Sequence, residues 1–387
     1  MNIRSTFATL FAAGLLAACG GGGEGGGIGG TGTLHVSLTD APSCGYDQVN
    51  VTIDRVRVNQ SASAADADGG WSEIVLSPAR RVDLLTLSNG VLEDLGQTAL
   101  PAGKYTQLRL VLAPNDAANP LANSVVPSGG TETALTTPSG QQSGLKMNVD
   151  IDVAADKIAD VVLDFDACKS VVKRGNSGQY NLKPVITVVP VISDAGLRVI
   201  GYVDPALGTA TTQVSVQAAG VPVKATAPDA TGKFVLYPVP VGTYDLVVTS
   251  SGRVNAVMTG VPVVSTAFTT LNSASIPISP PVATVRSVTG TITPVTGTVR
   301  ALQPLTGGPT VEVAWGAVDA VSGAFSFSLP IEAPVKAAYV ANPATLTFTP
   351  DAAAAGKYTL EAASAGVVKT QAINASAAVP PVTFTFP

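Results

Sequence analysis

Thirty-nine glycines and 28 prolines punctuate this chain of 387 residues, and they decide what it can fold into. In a helix interior each glycine costs about 1 kcal/mol and each proline about 3 kcal/mol relative to alanine, so long helices are disfavoured. Between the punctuation stand small and β-branched residues, and charged residues make up only 13%. That mixture suits many short strands joined by tight turns, an all-β class of tandem antiparallel β-sandwich modules. With 46% apolar residues the chain has enough to bury cores, and its length predicts two or three domains. One histidine and three cysteines leave little material for metal or nucleophile chemistry, and no cofactor is implied.

Arg4 is the only charge ahead of an apolar run, residues 5–16, as in a secretion signal. A membrane-spanning helix needs roughly 20 apolar residues, so this run is too short to span. It leads into Leu16-Ala17-Ala18-Cys19, which resembles the bacterial lipobox. The resemblance implies a cleaved signal peptide over 1-18 and acylation (diacylglycerol and palmitate) of Cys19; the alternative is ordinary cleavage that leaves a free cysteine. More than one acyl chain gives stable anchoring, with membrane lipid as the partner. Gly20 rather than aspartate follows the cysteine, which by similarity to Gram-negative lipoproteins implies the outer membrane, on its periplasmic face or at the cell surface. Ten of the 13 residues from Gly20 to Gly32 are glycine, so residues 19-32 read as a flexible tether. The mature chain carries a net charge of −6, unsuited to a phosphate backbone, so nucleic acid is not an expected partner.

Residues 1–195 hold 13 basic and 19 acidic side chains, whereas 196–387 hold 9 and 8. The shift marks a boundary near 193, and the prolines of Ile276-Pro277-Ile278-Ser279-Pro280-Pro281 mark a second, a stiff extended linker. The expected modules are 33-193, 195-279 and 282-387. In the first, Leu34, Val36 and Leu38 alternate with polar residues. Val49, Val51 and Ile53 continue that pattern, but Val56 and Val58 change parity, which predicts a bulge near Asp54. Further strands are expected at 71–76, 106–112, 145–151, 160–165 and 182–188, with a short helix at Val91 to Leu95.

Residues 32–42, Val51 to Val58, Asp83-Leu84-Leu85-Thr86-Leu87, Leu100-Pro101-Ala102-Gly103-Lys104-Tyr105 and Leu182-Lys183-Pro184-Val185-Ile186 resemble a bacterial lipoprotein family known only as domain of unknown function 4382. It brings no activity with it. In the second module, Gly232-Lys233-Phe234 and Pro240-Val241-Gly242-Thr243-Tyr244 resemble the carboxypeptidase regulatory-like, transthyretin-like sandwich. Gly232 and Gly242 suit positive φ there, and Tyr244, Leu246 and Val248 share a core face. The third module repeats Gly323-Ala324-Phe325 and Gly356-Lys357-Tyr358 in the same order. Phe325 and Tyr358 are 33 residues apart, however, against ten for Phe234 and Tyr244, so either an insertion separates them or only turn chemistry is shared.

Once Cys19 is acylated, Cys44 and Cys168 are the remaining thiols of an exported chain, and a disulfide between them is expected; two buried free thiols are the alternative. Closing so long a loop contributes about 5 kcal/mol in the chain-entropy model. His35 lies on the polar parity of its strand and reads as solvent-facing. Asp150 and Asp152, with Asp160, Asp164 and Asp166, could form a carboxylate cluster for Ca²⁺ or acid/base work, but nearby lysines favour a solvated face and no loop has Ca²⁺-ligand spacing. Trp71 and Trp315 read as core. No catalytic or metal residue is assigned. The reading is therefore a non-enzymatic, lipid-anchored outer-membrane component with a binding or structural role and a glycan or envelope-protein partner. The alternative is a surface carbohydrate-binding protein for adhesion or glycan uptake, because the transthyretin-like group includes starch-binding-like domains; a hydrolase built on His35 or the Asp150 and Asp152 pair ranks below both.

Overall fold

The computed structural model describes residues 30–40, 45–137, 143–192 and 195–387. The signal peptide, Cys19, most of the tether and Cys44 lie outside the described residues. No helix among the described residues is long and apolar enough to cross a membrane. The described residues form three β-sandwiches, each with its own apolar core.

The first sandwich comprises β1 (Thr31–Asp40), β2 (Tyr46–Asn59), β3 (Ser72–Asp83), β4 (Glu93–Pro101), β5 (Gly103–Leu112), β6 (Ser124–Pro127), β7 (Thr133–Thr136), β8 (Leu145–Val153), β9 (Ile158–Phe165), the one-turn helix α1 (Ala167–Ser170), β10 (Val171–Lys173), β11 (Tyr180–Leu182) and β12 (Ile186–Val191). One sheet runs β12-β9-β1-β4, and the other runs β10-β11-β7-β6-β2-β5-β8 with β3 also on β2. Leu34, Val36 and Leu38 are fully buried, as their alternation requires. The register of β2 slips between Ile53 and Arg55 against both β3 and β5, the bulge that the parity change predicts. β1 begins two residues earlier than expected, since Gly32 belongs to the sandwich and not to the tether. A Cβ on Gly32 would sit 2.2 Å from the Ala154 carbonyl oxygen, so the close approach of these segments requires glycine there.

The expected helix at 91–95 is not formed. Instead, the Asp83 carboxylate caps a 3₁₀ turn at Leu84–Leu87, and residues 93–98 pair with β1. Pairing is mainly antiparallel, but β1 and β9 run parallel, side by side at the centre of the smaller sheet.

The second sandwich comprises β13 (Val199–Tyr202), β14 (Thr212–Ala218), β15 (Val221–Thr226), β16 (Lys233–Leu236), β17 (Gly242–Ser250), β18 (Ala256–Val263) and β19 (Thr269–Thr270). The third has β20 (Val285–Thr293), β21 (Thr298–Pro304), β22 (Thr310–Gly316), β23 (Ala324–Pro330), β24 (Val335–Ala338), β25 (Thr349–Pro350), β26 (Lys357–Ser364), β27 (Val367–Asn374) and β28 (Val382–Thr385). Sheet orders β16-β13-β19 and β15-β14-β17-β18 in the second are matched by β23-β20-β28 and β22-β21-β26-β27 in the third. The match extends to detail. Gly201 pairs with Phe234 and Gly290 with Phe325, and in both cases the Phe ring lies where a glycine Cβ would be. Each sandwich also slips register at one shared place, between Val216 and Gln217 and between Ala301 and Leu302.

The long spacing between Phe325 and Tyr358 is an insertion. Its strands β24 and β25 leave the third sandwich and extend the second one's sheet, with β24 parallel to β18. Tyr339, Leu346 and Phe348 of this arm pack on the second core. The proline segment 276–281 is likewise no free spacer, because Ile278 is buried and the Pro281 carbonyl accepts from Val254.

Gly232 has positive φ, as expected, but Gly242 does not. Gly242 lacks a Cβ for a different reason, since one would sit 2.9 Å from the Tyr244 hydroxyl. That hydroxyl donates to the Pro240 carbonyl, 2.9 Å away, and Tyr105 makes the same four-residue return to Pro101 at 3.1 Å. Tyr358 donates to Pro330, 2.6 Å away, across the insertion.

Gly290→Ala would place a methyl 2.1 Å from the Val382 carbonyl oxygen. It is expected to destabilise the protein by about 1–3 kcal/mol in denaturant melts. Gly69→Ala, in open space, should stay within about 0.5 kcal/mol of the native protein.

Candidate functional site

The three sandwiches meet around a small set of charged side chains. Lys224 on β15 is 2% exposed, and its ammonium lies 2.5 Å from the Asp164 carboxylate on β9. Burial pushes the Asp164 carboxyl above its ordinary value, and Lys224 opposes that shift. Beside it, Asp40 is fully buried; one carboxylate oxygen accepts from the Ala167 N–H, 2.9 Å away, and the other has no partner among the described residues. Burial holds this carboxyl well above the usual carboxylate range, only partly offset by the Ala167 hydrogen bond. Asn89, in the loop before β4, completes the joint. Its N–H donates to the Thr226 hydroxyl at 2.7 Å, and its side-chain oxygen accepts from Val235 at 2.5 Å.

Glu312 on β22 belongs to the third sandwich and touches the other two. Its carboxylate lies 3.2 Å from Lys169 on α1 and 3.3 Å from Arg300 on β21. Its backbone N–H and carbonyl are both bonded by the side-chain amide of Gln217 on β14, at 2.8 and 2.7 Å. Arg300 also donates to the Gly220 carbonyl at 2.9 Å. A second link joins the first and third sandwiches, where the Gly175 N–H donates to Asp319 at 2.7 Å and the Ala320 N–H to the Lys173 carbonyl at 2.9 Å. Apolar contact between the second and third comes from Val247, Val257, Leu305, Val311 and Ala354.

Beside Glu312 is an open-sided cavity of about 750 Å³ to which all three sandwiches contribute, including Lys169 and Lys173, Thr211 and Gln213, and Trp315 and Ser326. Trp315 is therefore not core. Its ring carries the Lys169 ammonium 4.9 Å from its centroid. Trp71 is not core either; the guanidinium groups of Arg57 and Arg109 each lie 4.6 Å from its ring centroid. Strand alternation alone could not distinguish an apolar residue facing the core from one facing a joint or a cation.

The carboxylates that sequence grouped together are dispersed among different cations. Asp150 pairs with Lys104, Asp164 with Lys224, and Asp166 caps α1 while contacting Lys169. Among the described residues, no group of three or more His, Cys, Asp or Glu is placed to hold a metal ion. His35 is no open strand histidine, because it is clamped between neighbouring strands. Its Nδ1 contacts Asp160 on β9, and its Nε2 lies 3.0 Å from Asp94 on β4. Burial disfavours the charged ring, but the hydrogen bonds to Asp160 and Asp94 outweigh it and hold the imidazole above its ordinary 6.5. Cys168 is half-buried on α1 at the cavity wall.

Residues 31–184 match the family described as a domain of unknown function, DUF4382. No curated protein matches the chain. Among solved structures, an interface mutant of a type II cohesin–X-dockerin complex from Acetivibrio cellulolyticus is 20% identical, covering 23% of this chain and 60% of that one, with a TM-score of 0.20. A second mutant of that complex is 25% identical over 22% of this chain and 56% of its own, TM-score 0.18. A streptococcal ancillary pilin is 9% identical over 92% of this chain and 98% of its own, TM-score 0.17.

Lys224→Met leaves Asp164 buried without its cation, and a loss of about 3–5 kcal/mol is expected in chemical denaturation. The double variant Lys224→Met with Asp164→Leu should recover most of it; no recovery would mean the two charges are not coupled. For His35, a raised folded-state pKa means that the clamp contributes fully below about pH 6.5 and fades as pH rises through the raised value. The stability difference between the native protein and His35→Gln should therefore be larger at about pH 5.5 than at about pH 8.5. As the chain's single histidine, its ring resonance should titrate with a midpoint above 6.5.

Proposed function

We propose that this chain is a lipid-anchored, non-enzymatic component of a bacterial outer membrane. Acylated Cys19 holds it to the lipid, the glycine-rich segment spaces it from the surface, and the sandwiches behind it act as one binding and structural unit. The observation that carries the reading is Glu312, whose carboxylate and backbone are engaged by Lys169 of the first sandwich and Gln217 of the second. Modules that only needed to be strung together would not need such a joint. A fixed unit on a flexible tether suits the capture or display of a partner at the envelope.

A disulfide between Cys44 and Cys168 belongs to the same reading. Asp40, four residues before Cys44, accepts from Ala167, the residue before Cys168. Tyr46, two residues after Cys44, donates to the Val171 carbonyl at 3.4 Å, three residues after Cys168. The chain on either side of each cysteine thus meets the chain on either side of the other.

One experiment reads both proposals. Peptide mass mapping of the membrane-extracted protein, without reductant, should yield an N-terminal peptide that begins at diacylglyceryl-modified Cys19 and a linked pair containing Cys44 and Cys168. Cys19→Ser should move the protein from the outer-membrane fraction to the soluble one. An unmodified N-terminus, or a Cys19→Ser variant that stays membrane-bound, rules out the anchor.

A further inference from the structure

We infer that the open edge of β27 is a self-association surface, on which β27 of a second copy of this chain adds antiparallel across a two-fold axis. In the frame shared by the second and third sandwiches, β18 and β27 hold the same place, and each is eight residues long. Their edges differ. β24 of the inserted arm lies along β18, pairing Ala256 with Val335 and Thr259 with Ala338, and Tyr339, Leu346 and Phe348 of that arm pack on the core. Ala256, Val257, Met258, Val261 and Val263 of β18 are accordingly 1% exposed or less. β27 pairs with β26 along its whole length, and among the described residues no strand takes its other side. Seven of its eight residues are exposed, with Val367 at 43% and Val368 at 56%. Behind it, Gln371, Ile373, Val379 and Val382 line an open groove of about 430 Å³.

An unpaired edge presents a row of N–H and C=O groups that templates another strand, and proteins blunt such edges with prolines, charges and bulges. Edges elsewhere in this molecule carry those devices. β12 has Pro190, β3 has Pro78, Arg80 and Arg81, β8 has Lys146, Asp150 and Asp152, and β4 slips register against β1. β27 has no proline and keeps an unbroken register with β26. Its one charge, Lys369, is drawn inward, where the ammonium donates to the Thr385 carbonyl and lies over the Phe386 ring.

The same features identify the occupant. With its one cation engaged, the edge offers no handle to a partner chosen by charge. It suits a neutral strand rich in β-branched residues, and β27 is itself such a strand. A two-fold axis normal to the sheet pairs the strand antiparallel with itself, keeps like faces together and closes the association at two copies. Whichever of Thr370 and Gln371 lies on the axis, Lys369 falls opposite a neutral residue, Gln371 or Ile373, so like charges are never directly opposed. One strand from each copy falls short of the roughly 1,200 Å² of a standard interface, so the association is weak, with a dissociation constant on the order of tens of micromolar.

Analytical ultracentrifugation of the full-length protein should show a monomer–dimer equilibrium between about 1 and 500 µM. Val368→Lys combined with Ala372→Lys, both at exposed positions of β27, should weaken dimerisation at least roughly tenfold while leaving stability within about 0.5 kcal/mol of the native protein per substitution. A residue on the two-fold axis meets its own copy within disulfide reach. Under mild oxidation, Thr370→Cys or Gln371→Cys should therefore give a covalent dimer, and Ser63→Cys, exposed on the first sandwich, should not. A protein that stays monomeric at about 500 µM, a dimer that tolerates the two lysines, or an equal dimer yield from Ser63→Cys overturns the assignment. Crosslinking of the β27 cysteine variants to a different protein in intact cells, without homodimer, overturns the second copy as occupant.

Discussion

Lys224 and Asp164 bring one positive and one negative charge into a joint that water scarcely reaches. Such a pair adds little net stability, because the cost of desolvating both ions rivals their attraction. What it supplies is selection among dockings. Any arrangement of the first two sandwiches that parts these groups leaves a charge buried and uncompensated, a penalty of several kcal/mol. The Asn89 contacts presuppose that arrangement, and so does Glu312, which reaches Lys169 of the first sandwich while Gln217 of the second holds its backbone. The cavity presupposes it too, since its walls come from all three sandwiches and none of them encloses it alone.

Sequence was most informative where a residue answers to its own sheet. Alternation from Leu34 to Leu38 and the parity change near Asp54 follow from the two-residue period of a strand, and both are local. The tyrosine turns were legible for the same reason, since Tyr244 returns to a carbonyl only four residues back. Non-local partners were not legible. Asp164 looked like a member of a carboxylate face, and its lysine lies 60 residues away. His35 looked solvent-facing because nothing in its strand shows that β4 and β9 each present an aspartate to it. Trp315 looked like core because an indole in an apolar run gives no sign that its far side meets another module. The candidate site is built almost wholly from such residues, so little of it could have been found before the sandwiches were placed together.

The matching register of the second and third sandwiches shows how like frames acquired unlike surfaces. Aligned at their shared slip, Lys224 on β15 takes the place of Ala314 on β22, Glu312 the place of Pro222, and Trp315 the place of Ala225. The core positions keep their character, with Val214 matched by Val299, Leu246 by Leu360 and Tyr244 by Tyr358. The edge strands β15 and β22, which face neighbouring sandwiches, are thus one place where the two frames diverge. β15 carries a cation that seeks Asp164; β22 carries an anion and an indole that meet Lys169. Edge strands ordinarily need protection from promiscuous pairing, and a charge placed there serves that end. Here the protecting charge also chooses the partner. A half-chain with only 9 basic and 8 acidic residues has placed several of them on or beside these strands. Its low charge is what gives each one such leverage over how the modules meet.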